Sequence, residues 1–447
     1  MFDEVSMLDI ADTRSETTGL TIYLVGGAVR DELLGRPVAE RDWVVVGTTP
    51  EELKRRGFRQ VGKDFPVFLH PITKEEYALA RTERKTARGY RGFVVHADPS
   101  VTLEDDLRRR DLTINALARA PDGTLVDLFG GLDDLRNGRL RHVSPAFAED
   151  PVRILRVARF AARYDHWGFH IAHDTHALMR SMVEDGEVDA LVPERVWAEL
   201  VKALGEERPW CFFEVLRTVG ALARLFPELD ALWGVPQPAQ YHAEIDTGIH
   251  AMLVLRQATR LSPAPVVRFA ALTHDLGKAV TPQEEWPKHH GHEQRGVKPI
   301  KALCDRYKAP REYRELAVLV ARWHSHCHNA AKLRSATLCD TLMALDGLRR
   351  RERFEQFLLA CEADARGRLG KEDEPYPEAD LFRNALTAAA AVPTAPLVAA
   401  GLTGEPFAAT LRKQRIAAIR AVRSRIRHND PSDYENTCHE TPHRSKD

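Results

Sequence analysis

The chain has 447 residues, 44% of them hydrophobic, and its 64 Lys and Arg nearly balance 65 Asp and Glu for a formal net charge of −1. Such length and apolar content can bury cores in roughly two or three domains, which excludes a chain disordered throughout. The charge balance excludes a uniformly basic nucleic-acid binder, yet it averages over acidic and basic patches and leaves room for local phosphate contacts.

Residues 1 to 20 are acidic and carry no apolar core segment, which predicts a flexible leader rather than a secretion signal or membrane span. TIYLV at 21 to 25 alternates and branches like a strand. Gly26 and Gly27 follow, and both can take positive φ and let a ligand approach the backbone. AVRDELL at 28 to 34 is a good helix sequence whose first N–H groups point back at that turn, with Arg30 one turn in, so an anion such as phosphate suits this spot. Glu40 and Asp42 come just ahead of the strand-like WVVV, where strand alternation puts both on one face beside the glycine turn. Two carboxylates there suit Mg²⁺, and a metal pair would activate an attacking hydroxyl and neutralise a leaving pyrophosphate. A solvated acidic turn is the plain alternative, but glycine pair, helix, acid-x-acid and apolar strand in that order favour a metal site.

EYALARTE at 76 to 83 reads as a strand running into a basic loop, and its Glu83 is kept out of the site because a polar strand end explains it equally well. RRDLTINALA at 109 to 118 predicts a helix opened by Arg110 and Asp111, with Ile114 and Leu117 facing a core and Asn115 as a buried hydrogen-bonding partner. Glu149 and Asp150 precede PVRILRVARF, where Pro151 suits a first helical turn and the acids would cap it. Arg153, Arg156 and Arg159 share one face of that helix and Arg163 continues the row. Beyond it, apolar periods of 3.6 residues dominate, as in VWAELVKAL and FFEVLRTVGALARLF.

The stretch 24 to 46 resembles the DNA polymerase beta nucleotidyltransferase superfamily. RRDLTINALA, DLFGGLDDL at 127 to 135, EDPVRILRVARFAARY at 149 to 164 and PERVW at 193 to 197 are similar to successive motifs of the class II tRNA nucleotidyltransferases, the bacterial CCA-adding enzymes. The likeness runs from Tyr23 to about Arg427. It implies template-free addition of C, C and A to the 3′ end of tRNA from CTP and ATP. By position it implies Gly27 and Arg30 at the nucleotide, Glu40 and Asp42 at the metal, and Arg110, Arg156 and Arg159 at the triphosphate and ribose. It also implies that Glu149, Asp150 and Arg153 replace a nucleic-acid template. Asp150 can accept from the exocyclic amine that cytosine and adenine share, while Arg153 donates to ring acceptors, so uracil and guanine present the wrong edges. Relatives usually carry Asp where this chain has Glu40, whose extra methylene moves the charge outward.

WGVPQPAQYH at 233 to 242 reads as a linker. A second constellation follows: His250, THDLGKAVTP at 273 to 282, HHGHE at 289 to 293, His324 within WHSHCH, and Asp364. Neutral imidazoles with carboxylates suit a divalent transition metal, and the His274-Asp275 step at the end of apolar VVRFAALTHD puts both at a buried rim. A lone histidine would more often be structural, but the series resembles the HD phosphohydrolase superfamily. That resemblance implies His250, His274, Asp275, His324 and Asp364 as ligands of a metal such as Ni²⁺, with 2′,3′-cyclic phosphodiesterase, 2′-nucleotidase and phosphatase activities. Spacing leaves open which of His289, His290 and His292 faces the metal, and Ser325 stands where relatives often carry Asp. With this motif included, the chain is similar to the multifunctional CCA proteins of proteobacteria.

RKQRIAAIRAVRSRIR at 412 to 427 predicts an amphipathic helix with Ile416, Ile419, Val422 and Ile426 on one face, a surface helix rather than a tRNA contact. Residues 429 to 447 are polar and predicted disordered. Six cysteines, at 211, 304, 327, 339, 361 and 438, form no CxxC pair, which predicts reduced thiols in the cytoplasm and no structural zinc. The expected fold class is α+β: a polymerase-beta-like nucleotidyltransferase head at 21 to 160 and a mostly α-helical body. The body would hold a tRNA-binding neck at 161 to 235, an all-α HD domain at 240 to 365 and a helical tail at 366 to 428. A monomer or homodimer is expected, with tRNA recognised by shape and backbone. The rival readings are a poly(A) polymerase, which would share the head, and a metal phosphohydrolase whose head merely binds nucleotides.

Overall fold

The computed structural model describes residues 16–61, 67–85, 93–240 and 242–428. The chain divides between Asp230 and Ala231 into two compact units.

The first unit is built on a sheet of seven strands. In chain order these are β1 (Thr21–Val25), β2 (Asp42–Val46), β3 (Arg59–Val61), β4 (Val67–Leu69) and β5 (Glu76–Leu79), then, past a separate hairpin of β6 (Thr82–Lys85) and β7 (Phe93–His96), β8 (Leu117–Arg119) and β9 (Leu125–Asp127). Their spatial order is β3-β4-β5-β2-β1-β8-β9. The centre of the sheet is covered on both faces, which is why β2 reads as an unbroken apolar run: Trp43 and Val45 pack with Ile22, Leu24 and Val29, while Val44 turns to Val25, Leu107 and Ala118. Antiparallel pairing of β1 and β2 sets Val25 opposite Asp42. The end of the glycine-bearing strand therefore lies beside the acid that opens the next.

One predicted element is different. RRDLTINALA forms a single 3₁₀ turn, Thr113–Asn115, and then β8, because Ala118 pairs with Val25 and both Leu117 and Ala118 are fully buried. Sheet pairing overrides the local helical pattern. Of the predicted leader, residues 16 to 20 are docked, since Arg56 donates to the carbonyls of Glu16 and Thr18, and residues 1–15 lie outside the described ones. After Leu140 the unit becomes mainly helical, with Val152–Tyr164, His173–Glu184, Pro193–Gly205 and Trp210–Thr218.

The second unit holds helices throughout, among them Thr247–Leu261, Pro265–Thr273, Arg311–His328 and Arg351–Arg366 around a core that includes Leu255, Phe269, Leu316 and Phe357. The stretch read as a linker is folded into this unit: Pro236 bridges Asp246, and buried Gln237 accepts from Lys278 Nζ at 2.8 Å. The amphipathic helix is Gly404–His428, with Ile419 buried, Arg412 paired to Asp340 at 2.7 Å and Arg423 donating to the carbonyl of Ala331 at 2.7 Å. Among the described residues no helix is long and apolar enough to cross a membrane. Cys211, Cys304, Cys327, Cys339 and Cys361 are free and buried.

Candidate active sites

Gly26 leaves β1 with φ 69° and ψ −126°, a conformation only glycine takes without strain, and donates its N–H to the Leu117 carbonyl at 3.1 Å. A Cβ there would lie 2.8 Å from Arg110 Nη1. Gly27, in contrast, is the first residue of the helix Gly27–Leu33, so the positive φ expected of both glycines belongs to Gly26 alone. Asp42 and Glu40 are both exposed. Desolvation raises the Asp42 carboxyl above its ordinary value, Arg110 lowers it and Glu40 raises it again, so the three charges share one field. Glu40 lies ahead of β2 rather than in it, so chain direction and not strand alternation brings it there. Arg110 is anchored through Nη2 to the buried Asp106 at 3.1 Å, and its Nε is buried without a hydrogen-bond partner. The side chain of Glu83 lies outside the described residues.

Arg30 is 3% exposed. It donates to Asp31 and to Asn115 Oδ1, and its guanidinium lies over the rings of Phe160 and Tyr164 at 5.2 and 5.5 Å. Asn115 in turn donates to Asp111 Oδ1 at 2.9 Å, and Arg156 Nε to Asp111 Oδ2 at 2.7 Å. Burial alone would raise the Asp111 carboxyl, but Arg156, Asn115 and Arg153 hold it well below its ordinary value. A continuous polar chain, Arg30–Asn115–Asp111–Arg156, thus ties the glycine-turn helix to Val152–Tyr164. Asn115 is the buried partner expected of it.

Most of the arginine row is held by partners within the protein. Arg153 is 7% exposed and donates to the carbonyls of Ala146 and Arg109, both at 2.6 Å. Arg159 is 6% exposed and donates to Glu199 at 2.7 Å, while Arg163 holds Glu206 at 2.7 Å. Arg156 is the more open member. Asp150 accepts from the Val152 N–H at 3.1 Å, as a helix-opening acid should, and is held by both terminal nitrogens of Arg195, at 3.1 and 2.7 Å. Glu149 ends the 3₁₀ turn Pro145–Glu149 just before it. Sequence reasoning missed Arg195, although PERVW contained it, and missed the buried Asp106.

In the second unit the histidine motif converges. His274 closes the helix Pro265–Thr273, and both it and Asp275 are 1% exposed. His274 Nδ1 donates to the Ala271 carbonyl at 2.7 Å, His324 Nδ1 to the carbonyls of Val320 and Ala321 at 3.0 Å, and His292 Nδ1 to the His289 carbonyl at 3.0 Å. A carbonyl can only accept, so all three rings carry a proton on Nδ1 and turn Nε2, the nitrogen able to offer a lone pair to a cation, inward. Those of His292 and His324 lie 3.3 Å apart, Asp275 Oδ1 lies 3.4 Å from His292 Nε2, and Asp364 Oδ1 lies 3.4 Å from His274 Nε2. His274 Nε2 and Asp275 Oδ1 are buried with no hydrogen-bond partner. Burial works against a charged His274, yet Asp275 and Asp364 outweigh it and raise the group to about 10. Imidazole nitrogens and carboxylate oxygens meeting in overlapping groups, His274 with His324 and Asp364 and Asp275 with His292 and His324, fit a divalent cation, and backbone-anchored imidazoles are the usual way such ligands are oriented.

His250 joins through Nε2, 3.1 Å from Asp364, with Glu244 3.0 Å from its Nδ1. The open choice among three histidines resolves to His292. His289 spends both nitrogens on Thr281 and the Pro236 carbonyl, and His290 is exposed. His292 arrives because Gly277 has no side chain: a Cβ there would lie 1.9 Å from the His292 carbonyl oxygen. His328 Nε2 lies 2.6 Å from Asp364 and its Nδ1 2.9 Å from the Tyr376 hydroxyl. Ser325 Oγ lies 3.5 Å from His324 Nε2. Glu244, His292 and His328 are the site residues that the sequence reading did not assign.

Residues 22–141 match the poly A polymerase head domain, residues 168–232 the probable RNA and SrmB- binding site of polymerase A, and residues 247–366 the HD domain. The multifunctional CCA protein of Thioalkalivibrio sulfidiphilus is 63% identical over 402 residues, 90% of this chain and 98% of its own. That of Nitrosococcus oceani is 64% identical over 401 residues, again 90% and 98%. Among solved structures, a CCA-adding enzyme in apo form II matches with a TM-score of 0.64 at 21% identity over 93% of both chains. A CCA-adding enzyme in complex with ATP matches with a TM-score of 0.62 at 22% identity over 90% of this chain and 87% of that one. These two share the fold. Nucleotidyltransferase head and HD domain both imply the use of divalent metal. By its identity to whole relatives, and by the α+β head and helical HD unit it shares with them, the chain belongs to the multifunctional CCA protein family.

Proposed function

We propose that this chain adds and repairs the 3′-terminal CCA of tRNA from CTP and ATP without a template, and that its HD unit hydrolyses 2′,3′-cyclic phosphodiesters, 2′-nucleotides and other phosphomonoesters. The observation that carries the first activity is the register that sets Asp42 beside Gly26 with Glu40 and Arg110 in the same field. Glu40 and Asp42 would hold Mg²⁺, which when bound activates the tRNA 3′ hydroxyl and neutralises the departing pyrophosphate. Arg110 and Arg156 face the triphosphate, and the backbone at Gly26 and Gly27 lets it come close. Arg30 and Arg159 serve from behind, Arg30 through the Asn115–Asp111 chain and Arg159 by bracing the helix on Glu199. Asp150 and Arg153, with Glu149, read the base edge; their existing partners fix both before a nucleotide arrives, so no ordering cost falls on binding.

In the HD unit His250, His274, Asp275, His292, His324 and Asp364 would hold a transition metal such as Ni²⁺, which supplies an activated water and a polarised phosphoryl oxygen. The partners are tRNA, CTP and ATP, and the chain works in the cytoplasm as a monomer or homodimer. Supplying tRNA that lacks its 3′ end with each labelled nucleotide in turn tests the head. Incorporation of C and then A is expected, and runs of A without C would instead make the chain a poly(A) polymerase. Loss of CTP and ATP selectivity in Arg153→Ala tests base reading; an unchanged preference would remove it.

A further inference from the structure

A cavity of about 530 Å³ lies against the HD centre, lined by His328, Arg366, Arg368, Lys371, Pro375 and Tyr376 among others. That volume falls in the ~300–1,000 Å³ range of small-molecule sites. Its wall reaches the metal-ligand cluster through His328, whose Nε2 lies 2.6 Å from Asp364. Three cations line it, and two are already neutralised. Arg366 pairs with Glu362 at 2.9 Å and donates to the Glu374 carbonyl at 3.0 Å, while Lys371 pairs with Glu374 at 3.1 Å.

Arg368 is the third. Its Nε is buried without a hydrogen-bond partner, and among the described residues it has no ion pair. It stands on the His250 side of the centre: the next residue, Leu369, donates its N–H to Glu244 at 3.4 Å, and Glu244 lies 3.0 Å from His250. Its charge reaches His242, which burial first, and then His250, Lys278 and Arg368, hold below its ordinary value. A half-buried guanidinium that forgoes every carboxylate in a site rich in them is a vacancy for an anion that comes and goes. Its planar fork matches a phosphoryl group, to which it can donate two parallel hydrogen bonds. Beside it the Tyr376 ring, fixed by its hydroxyl on His328, and Pro375 offer a flat, largely apolar wall suited to a nucleoside.

We propose that this cavity is the substrate pocket of the HD centre, with Arg368 binding the cyclic or 2′-phosphate of a 3′-terminal nucleotide and the Pro375–Tyr376 wall receiving its sugar and base. The proposal rests on the hydrolase reading of the HD unit. It is tested in the full chain with Arg368→Gln and Arg368→Lys. Equilibrium binding of adenosine 2′-monophosphate by calorimetry, bound-metal content, and KM and kcat for 2′,3′-cyclic AMP are the readouts.

Losing a charge-assisted pair should weaken adenosine 2′-monophosphate binding in Arg368→Gln by roughly tenfold to a hundredfold. KM should rise by a similar factor while kcat moves less and metal content holds. Arg368→Lys should recover part of the binding, since it keeps the charge but not the fork. Thermal unfolding of the full chain serves as the folding control, and CTP addition to tRNA, made by the other unit, should be unchanged. Wild-type binding and KM in Arg368→Gln would overturn the pocket, as would a fall in metal content that accounts for the loss. A parent chain that holds metal yet hydrolyses none of these esters would instead overturn the hydrolase reading and with it the substrate role of the pocket, while weakened nucleotide binding in Arg368→Gln would then leave Arg368 as a nucleotide-binding residue only.

Discussion

Substituting Gly26 separates two consequences of one conformation. Alanine at φ 69° and ψ −126° sits in a region that costs a non-glycine residue about 1–3 kcal/mol. For a unit of this size that strain lowers the melting temperature by roughly 2–4 °C per kcal/mol. Its Cβ would also lie 2.8 Å from Arg110 Nη1. The guanidinium is the far end of a flexible side chain, so it yields cheaply, but it moves out of the field it shares with Asp42 and Glu40. Losing one charge-assisted contact to the triphosphate is worth about 1.5–3 kcal/mol, roughly tenfold to 150-fold in kcat/KM for CTP addition. Gly27 is the built-in control: it is helical, and the nearest atom to an added Cβ, Arg30 Nη2, is at an ordinary 3.5 Å. Gly26→Ala and Gly27→Ala are compared by thermal unfolding and by CTP addition to tRNA lacking its end. A Gly26→Ala protein that melts like its parent, or a Gly27→Ala protein destabilised as much, refutes the assignment of the strained turn to Gly26.

Asp275→Ala should lose bound metal and hydrolysis of 2′,3′-cyclic AMP while CTP addition continues, and equal loss of both would argue against separate centres. Asp111→Asn should cost about 2 kcal/mol at neutral pH by releasing Arg156. Because the folded carboxyl titrates below its unfolded value, the stability it contributes is complete above about pH 4 and is lost as pH falls further, so urea midpoints of parent and variant should converge on acidification. Arg159→Met leaves the buried Glu199, among the described residues, with only the exposed Lys202, 3.8 Å away, and should destabilise by about 2 kcal/mol. Its KM for CTP should change less than that of Arg110→Met, and the reverse order would place Arg159 on the triphosphate itself.

What could be read from sequence was what short stretches decide. The strand TIYLV, the glycine turn, the helix after it and the acid-x-acid are consecutive, and their geometry follows from local preference and one strand pairing. His274-Asp275 was equally plain. The helix expected over RRDLTINALA failed because its second half pairs with β1, a partner more than 90 positions earlier. The partners of the arginine row were out of reach for a similar reason: the acids that hold Arg159 and Arg163 sit on and just beyond the helix Pro193–Gly205. Choosing His292 over its neighbours needed the close approach at Gly277, which no spacing rule contains.

The two centres differ in how much of each the chain itself completes, and that difference governs how each is recognised. At the head, two exposed carboxylates and a half-satisfied arginine leave most positions around a cation to substrate phosphates and water, so the residues alone look like an acidic turn. Recognition there depends on the order of neighbours along the chain. In the HD unit four histidines and two carboxylates form overlapping groups of three, three of the rings already oriented by backbone carbonyls, so most of a donor set is in place before any substrate arrives. A centre so provisioned with metal ligands must recruit its substrate through something other than the metal's spare positions alone. Arg368, which lines the same cavity as the Asp364 partner His328, is where the chain leaves that room.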